Sequence, residues 1–343
     1  MTSTIAINKT LPFLFTGAKE PSFTFLFRIH SGSEKQLHDV GHIRGRCHEI
    51  FNELESQGSD VEALRKKTDA LIEKIDLHSG AKSIGLFVSG ENAQCETFFI
   101  HMPERFYFGD YFSGLEACYA TAESTPYALF VLEPQSLKVF KGQADHLELM
   151  PESDAVSHLQ KIFKDRQPAH HDKDGKTHRA HDSKWQKNFV DALAAVCAGV
   201  PAMVAGLELT GLTERELRDA GVEVLATRNE VCQSTGTDAL VQVAEDLLKE
   251  FHSTHAAKLL DQCRTAIGAQ KLVSIPQDML ACAQEGRAEM LLLEAPAWDV
   301  SGKMELTEIH ETIRHTLENG GRVEFVPTGS LTEWNGAVVV LRY

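Results

Sequence analysis

Between Lys161 and Lys187 the chain places Lys161, Lys164, Arg166, Lys173, Lys176, Arg179, Lys184 and Lys187 against only Asp165, Asp172, Asp174 and Asp182. Eight cations less four carboxylates give this window +4; the whole chain is −15, so everything outside it carries −19. His170, His171, His178 and His181 fall in the same window and would add charge at lower pH. Such a segment suits RNA. Lys and Arg meet phosphates, while His and the open backbone around Gly175 can approach splayed bases. Arg166, His170, His171, Lys173, Gly175, Lys176, His178, Arg179 and His181 are the candidate RNA-contacting residues. The plain alternative is a solvated surface linker, since connecting segments are usually polar.

Metal chemistry fits this window poorly. His171, His178 and His181 could converge, but no second cluster supplies a fourth ligand. An EF-hand reading of Asp172-Lys173-Asp174-Gly175 puts His170 and His181 where the first and last carboxylates must stand. Neither a metal nor another cofactor is expected. There is no GxSxG, Walker loop or GxGxxG, and no carboxylate pair stands out as an acid/base couple. The chain therefore reads as a non-enzyme. An RNA-processing or hydrolytic enzyme that uses the loop histidines remains an alternative.

The rest of the chain must position this window. At 343 residues, 43% apolar and 24% charged, it has material for two or three folded domains. Its acidity excludes a protein that coats nucleic acid with its whole surface, and would suppress non-specific RNA binding away from a local basic site. Seven scattered cysteines without CxxC spacing read as reduced core thiols. No secretory leader pattern or apolar run of roughly 20 residues appears, so a cytoplasmic protein without membrane contact is expected.

Phe23 to Ile29 is an apolar run of strand length. Leu37, Val40, Cys47, Phe51 and Leu54, then Val61, Leu64, Leu71 and Ile75, recur at helical spacing, with Gly41 and Gly45 weakening the first helix. Ser83 to Ser89 and Cys95 to His101 form a hairpin pattern around Gly90-Glu91-Asn92. Phe98-Phe99 and Phe106-Tyr107-Phe108 are stacking platforms or core, and aromatic strands are more often core.

After Pro126 come hairpin strands Tyr127 to Glu133 and Leu137 to Lys141, a polar stretch from Lys164 to Lys184, and a helix with Trp185, Phe189, Leu193 and Val196. Ala202 to Leu209 reads as another strand. From Thr237 two helices are expected, one with Leu240, Val243 and Leu247, the next with Ala257, Leu260 and Cys263. Then come a strand at Leu272 to Ile275, a helix start at Pro276, a strand at Ala288 to Leu293 and a helix at Leu306 to Leu317, followed by strands Arg322 to Val326 and Ala337 to Leu341, with Arg342 and Tyr343 finishing a sheet edge. The fold class is α/β, with domains at 1–123, 124–235 and 236–343.

Three passages together resemble one superfamily. SIGLFVSGENAQCETFFIHMPERF, YALFVLEPQSLKVFKG and the closing Asn319-to-Pro327 and Gly336-to-Tyr343 segments are similar, in this order, to the archaeal and eukaryotic class-one release factor and Pelota superfamily, best to its bacterial, Balon-like branch. The resemblance implies a third domain of L7Ae/L30e type and a tRNA-mimicking body in the A site of the 70S ribosome. It also implies a partner such as elongation factor Tu or another translational GTPase. The family's hydrolytic Gly-Gly-Gln is missing. The matching loop is Pro168 to Asp182, and the one Gly-Gly pair, Gly320-Gly321, precedes Arg322. The family's Asn-Ile-Lys-Ser is also missing, and of the codon-motif positions Ile100, Met102 and Phe106 only the Phe matches. The resemblance thus implies ribosome occupancy of the hibernation or rescue type, without peptidyl-tRNA hydrolysis. A non-ribosomal protein-interaction module is the third reading.

Overall fold

The computed structural model describes residues 11–14, 20–30, 33–76, 79–165, 179–230, 236–295 and 306–343. It is a mixed α/β chain built on three sheets.

The first sheet has antiparallel order β3-β2-β1-β4, from β1 (Ser22–Arg28), β2 (Ser83–Ser89), β3 (Ala93–Phe98) and β4 (Arg105–Gly109). Strand alternation sends Phe23, Phe25 and Phe27 to one face, with Ile84, Leu86 and Val88 beside them. There they cover α1 (Ser33–Ser56) and α2 (Glu62–Ile72) through Ile43, Cys47, Phe51 and Leu64. Each fully buried Phe contributes roughly 2 kcal/mol of apolar transfer, which makes β1 the natural centre of this layer. Gly41 and Gly45 lie on the exposed face of α1, so they weaken the helix without breaking it. Two expectations move. Val61 caps α2 and Ile75 lies beyond its end, and the second hairpin strand is Ala93–Phe98 rather than Cys95 to His101. β4 and α3 (Leu115–Glu123) were not expected.

The middle sheet runs β7-β6-β5-β8-β9, with β5 (Tyr127–Leu132), β6 (Leu137–Gln143), β7 (His146–Leu149), β8 (Ala202–Ala205) and β9 (Val224–Arg228). The hairpin side is antiparallel; β8 and β9 are parallel to β5. β5 is buried on both faces, as a central strand between helical layers must be. Phe130 and Val204 face α4 (Asp154–Lys164) and α5 (Arg179–Cys197), while Leu129 and Met203 face the first half of α7 (Thr237–Gly268). Ala202 to Leu209 is not one strand. Gly206 at φ +82° ends β8, and a single 3-10 turn follows. Thr213 then caps α6 (Glu214–Asp219) in a capping box with Glu216.

α7 is one helix of 32 residues where two were expected. It contains no internal Pro or Gly, so the polar His252-to-His255 segment changes which core is covered without ending the helix. Leu240, Val243 and Leu247 pack on the middle sheet, and Leu259 and Cys263 on the third. The third sheet, β10-β13-β11-β12, comprises β10 (Leu272–Val273), β11 (Ala288–Glu294), β12 (Arg322–Val326) and β13 (Ala337–Leu341). Ile275 caps α8 (Pro276–Gln284) instead of extending β10, because Pro276 favours the first helical turn. Arg342 and Tyr343 follow an interior strand, not an edge. α9 (Leu306–Glu318) ends at Gly320, whose φ is +71°.

By contacts the chain divides into two compact units, Pro126–His255 and a second that joins the region up to Thr125 with Ala256–Tyr343. Within the second unit, Leu26 and Phe87 from the first sheet share a core with Leu291 and Leu293 from the third, and the Tyr119 ring on α3 meets Phe325 edge-on at 5.4 Å. No described helix is long and apolar enough to cross a membrane.

Candidate nucleic-acid interface

The basic window grows out of a helical hairpin on the middle sheet. α4 starts at Ser153, whose hydroxyl accepts from the Val156 amide at 3.3 Å, and packs through Val156, Leu159 and Phe163, which recur at helical spacing and are all buried. α5 answers with Phe189 and Leu193. The two helices are locked near the window. Phe163 and Phe189 ring centroids lie 6.0 Å apart, Trp185 stacks on Phe189 at 5.2 Å, and the Trp185 indole N–H donates to the Ile162 carbonyl at 2.9 Å.

On the opposite face stand Lys161 and Lys164, in the last turn of α4, and Lys184 and Lys187 on α5; all four are exposed. Cations at a helix C-terminus oppose its partial negative charge. None of the four forms an ion pair among the described residues, so their charge is available to an anionic partner. The sequence reading counted them in the charge of the window but did not place them among its nine contact residues. Of those nine, Arg166, His170, His171, Lys173, Gly175, Lys176 and His178 lie outside the described residues. Arg179 and His181 belong to the first turn of α5, and their side chains lie outside the description.

Other chemistry is sparse. Among the described residues no three His, Cys, Asp or Glu side chains gather as a metal site. Burial pushes the thiols of Cys47, Cys95 and Cys197 up to about 12, which leaves almost no thiolate near neutrality. Phe98 is core, and Phe106 packs 5.0 Å from Phe23, so these aromatics serve the first sheet rather than a base-stacking platform.

A second polar concavity lies in the other unit, a cavity of about 380 Å³ between the 109–114 loop and α9. Ser113 and His310 meet there at 3.3 Å (Oγ to Nε2), and the Arg314 guanidinium lies 4.7 Å from the Tyr111 ring centroid. Burial lowers His310 to about 4, so its imidazole is neutral at pH 7. A native pKa below the unfolded value means the unfolded chain takes up this proton first. The His310 contribution is therefore complete above about pH 6.5 and is lost as pH falls toward 4. Because the residue keeps some exposure, about 2 kcal/mol between pH 7 and pH 5 is an upper bound. His310→Gln is expected to flatten that acid limb in urea titrations at a series of pH values; an unchanged limb would assign the sensitivity elsewhere.

No family model and no curated protein sequence matches the chain. Among solved structures it is similar to an archaeal translation termination factor, aRF1, at 14% identity, covering 100% of this chain and 99% of that one, TM-score 0.26. It is similar to Saccharomyces cerevisiae Dom34, a translation termination-like factor involved in RNA quality control pathways, at 12% identity, 98% and 93% coverage and TM-score 0.40. A ribosome-bound archaeal Pelota gives 9% identity, 100% and 95% coverage and TM-score 0.41. The three-sheet architecture stands on the strand pairing itself.

Proposed function

We propose that this chain is a translation factor that occupies the ribosomal A site, in hibernation or in rescue, without hydrolysing peptidyl-tRNA. The observation that carries this reading is the local charge inversion. A −15 chain holds a +4 window between the two helices of a tightly packed hairpin, and four of its lysines, on those helices, are exposed and form no ion pair among the described residues. An acidic body with one basic projection binds a polyanion through that projection and is repelled elsewhere. The order of the three family-like passages supports the ribosome as that polyanion, and the missing Gly-Gly-Gln supports occupancy over hydrolysis.

In this reading residues 1–123 face the decoding region, 124–235 carry the loop toward the peptidyl-transferase centre, and 236–343 meet a translational GTPase such as elongation factor Tu. The test is co-sedimentation of the purified chain with vacant 70S ribosomes across a salt series. Stoichiometric binding that A-site tRNA displaces is expected. Failure to pellet at low salt, with or without elongation factor Tu, removes the ribosome from the proposal.

A further inference from the structure

We infer that the cavity between the 109–114 loop and α9 binds a small molecule that joins a planar ring to a single anionic group. The inference is independent of ribosome binding and rests on the wall chemistry. At about 380 Å³ the cavity falls within the range of small-molecule sites, which combine apolar walls with a few placed polar groups. Tyr107, Tyr111 and Phe112 supply aromatic wall, and Asp110, Ser113, His310, Glu311 and Arg314 supply the polar groups.

Arg314 decides the charge. Its guanidinium is partly buried against the Tyr111 ring, and its Nε has no hydrogen-bond partner. No carboxylate among the described residues pairs with it; its one hydrogen-bond contact is to the neighbouring His315 at 3.3 Å. A partly desolvated cation without a counter-ion is unfavourable, and a ligand anion relieves that cost. Stacking on Tyr111 also holds the guanidinium before binding, so little side-chain freedom remains to be lost.

The other polar groups limit the ligand further. His310, neutral and beside Ser113, adds hydrogen-bonding capacity but no second positive charge. Glu311 on the same wall would repel additional negative charge and accept a hydrogen bond from a ring N–H or a hydroxyl. One cation beside two wall carboxylates, Asp110 and Glu311, accommodates no more than a single anionic group and disfavours a di- or triphosphate. Carboxylate and monophosphate share this chemistry, and aromatic walls take the ring.

The test titrates the full chain by calorimetry with 4-hydroxybenzoate and adenosine monophosphate, and with adenosine and inorganic phosphate as half-ligands. At least one ring-plus-anion probe should saturate with a Kd at or below about 1 mM, and both half-ligands should bind about tenfold more weakly. Binding by 4-hydroxybenzoate alone identifies a carboxylate ligand, and by adenosine monophosphate alone a phosphate. Arg314→Gln should weaken the bound probe about tenfold. Should that variant fail to fold, Glu311→Gln gives the opposite readout and tightens the probe severalfold by removing the repulsion. Absence of saturation by both probes up to about 10 mM, half-ligands that bind as tightly, or affinity unchanged in Arg314→Gln or in Glu311→Gln would each overturn the site.

Discussion

Replacing Lys173, Lys176 and Arg179 together with Ala is expected to lower affinity for 70S ribosomes by roughly 10²-fold at about 0.1 M salt. The size follows from counterion release. Each phosphate contact contributes about 0.7 to 0.9 to the dependence of log K on log salt, so three lost contacts lower the slope by about 2 to 3. Extrapolated to about 1 M salt, where this contribution vanishes, wild type and variant should converge. The substitution takes the window from eight cations to five, hence from +4 to +1, and leaves the Trp185–Phe189 stack at its base intact. A second variant, Lys184→Ala with Lys187→Ala, separates the loop from the hairpin that carries it. Equal salt slopes for the triple variant and the wild type would remove the loop from the interface.

How far the sequence discloses this protein depends on how far apart the cooperating residues are. β1, β2 and β5 read directly, because a strand covered on both faces is a continuous apolar run, and β12 and β13 fall at the expected residues. α4 was missed although Val156, Leu159 and Phe163 carry the helical period. The charged residues that follow dilute this apolar period, so the segment reads as the start of a polar stretch. The lapse in apolar residues at His252 to His255 reads as a break, yet with no Gly or Pro there α7 continues as one helix. Ala202 to Leu209 shows the converse, for there Gly206 did end a strand that apolarity alone would have continued. The basic window was legible as charge. The cavity was not legible at all: Ser113 and His310 are 197 residues apart in the chain, and no local spacing links them.

Gly142→Val is the substitution expected to harm the fold most, by about 3 kcal/mol in the middle sheet. Gly142 pairs directly with Tyr127 across the β5–β6 hairpin, and the absence of a side chain lets the Tyr127 ring lie over it. A Cβ at position 142 would sit 2.2 Å from two carbons of that ring. The ring has little room to yield, because Tyr127 is fully buried beside Leu129, Met203 and Leu247, and its hydroxyl donates to the Ala144 carbonyl at 2.6 Å. Valine must therefore displace a buried aromatic, break its hydrogen bond and strain the hairpin at once. Tyr127→Phe, which removes only the hydroxyl, should cost about 1 kcal/mol. Combining Gly142→Val with Tyr127→Ala should cost less than the sum of the two single changes, since the second change removes the ring that the first one strikes. Urea midpoints of the four proteins measure this coupling. Additive costs, or a Gly142→Val shift within about 0.5 kcal/mol of wild type, would show that the hairpin absorbs the side chain by moving its backbone, and the close fit of Tyr127 over Gly142 would then not be what holds these two strands in register.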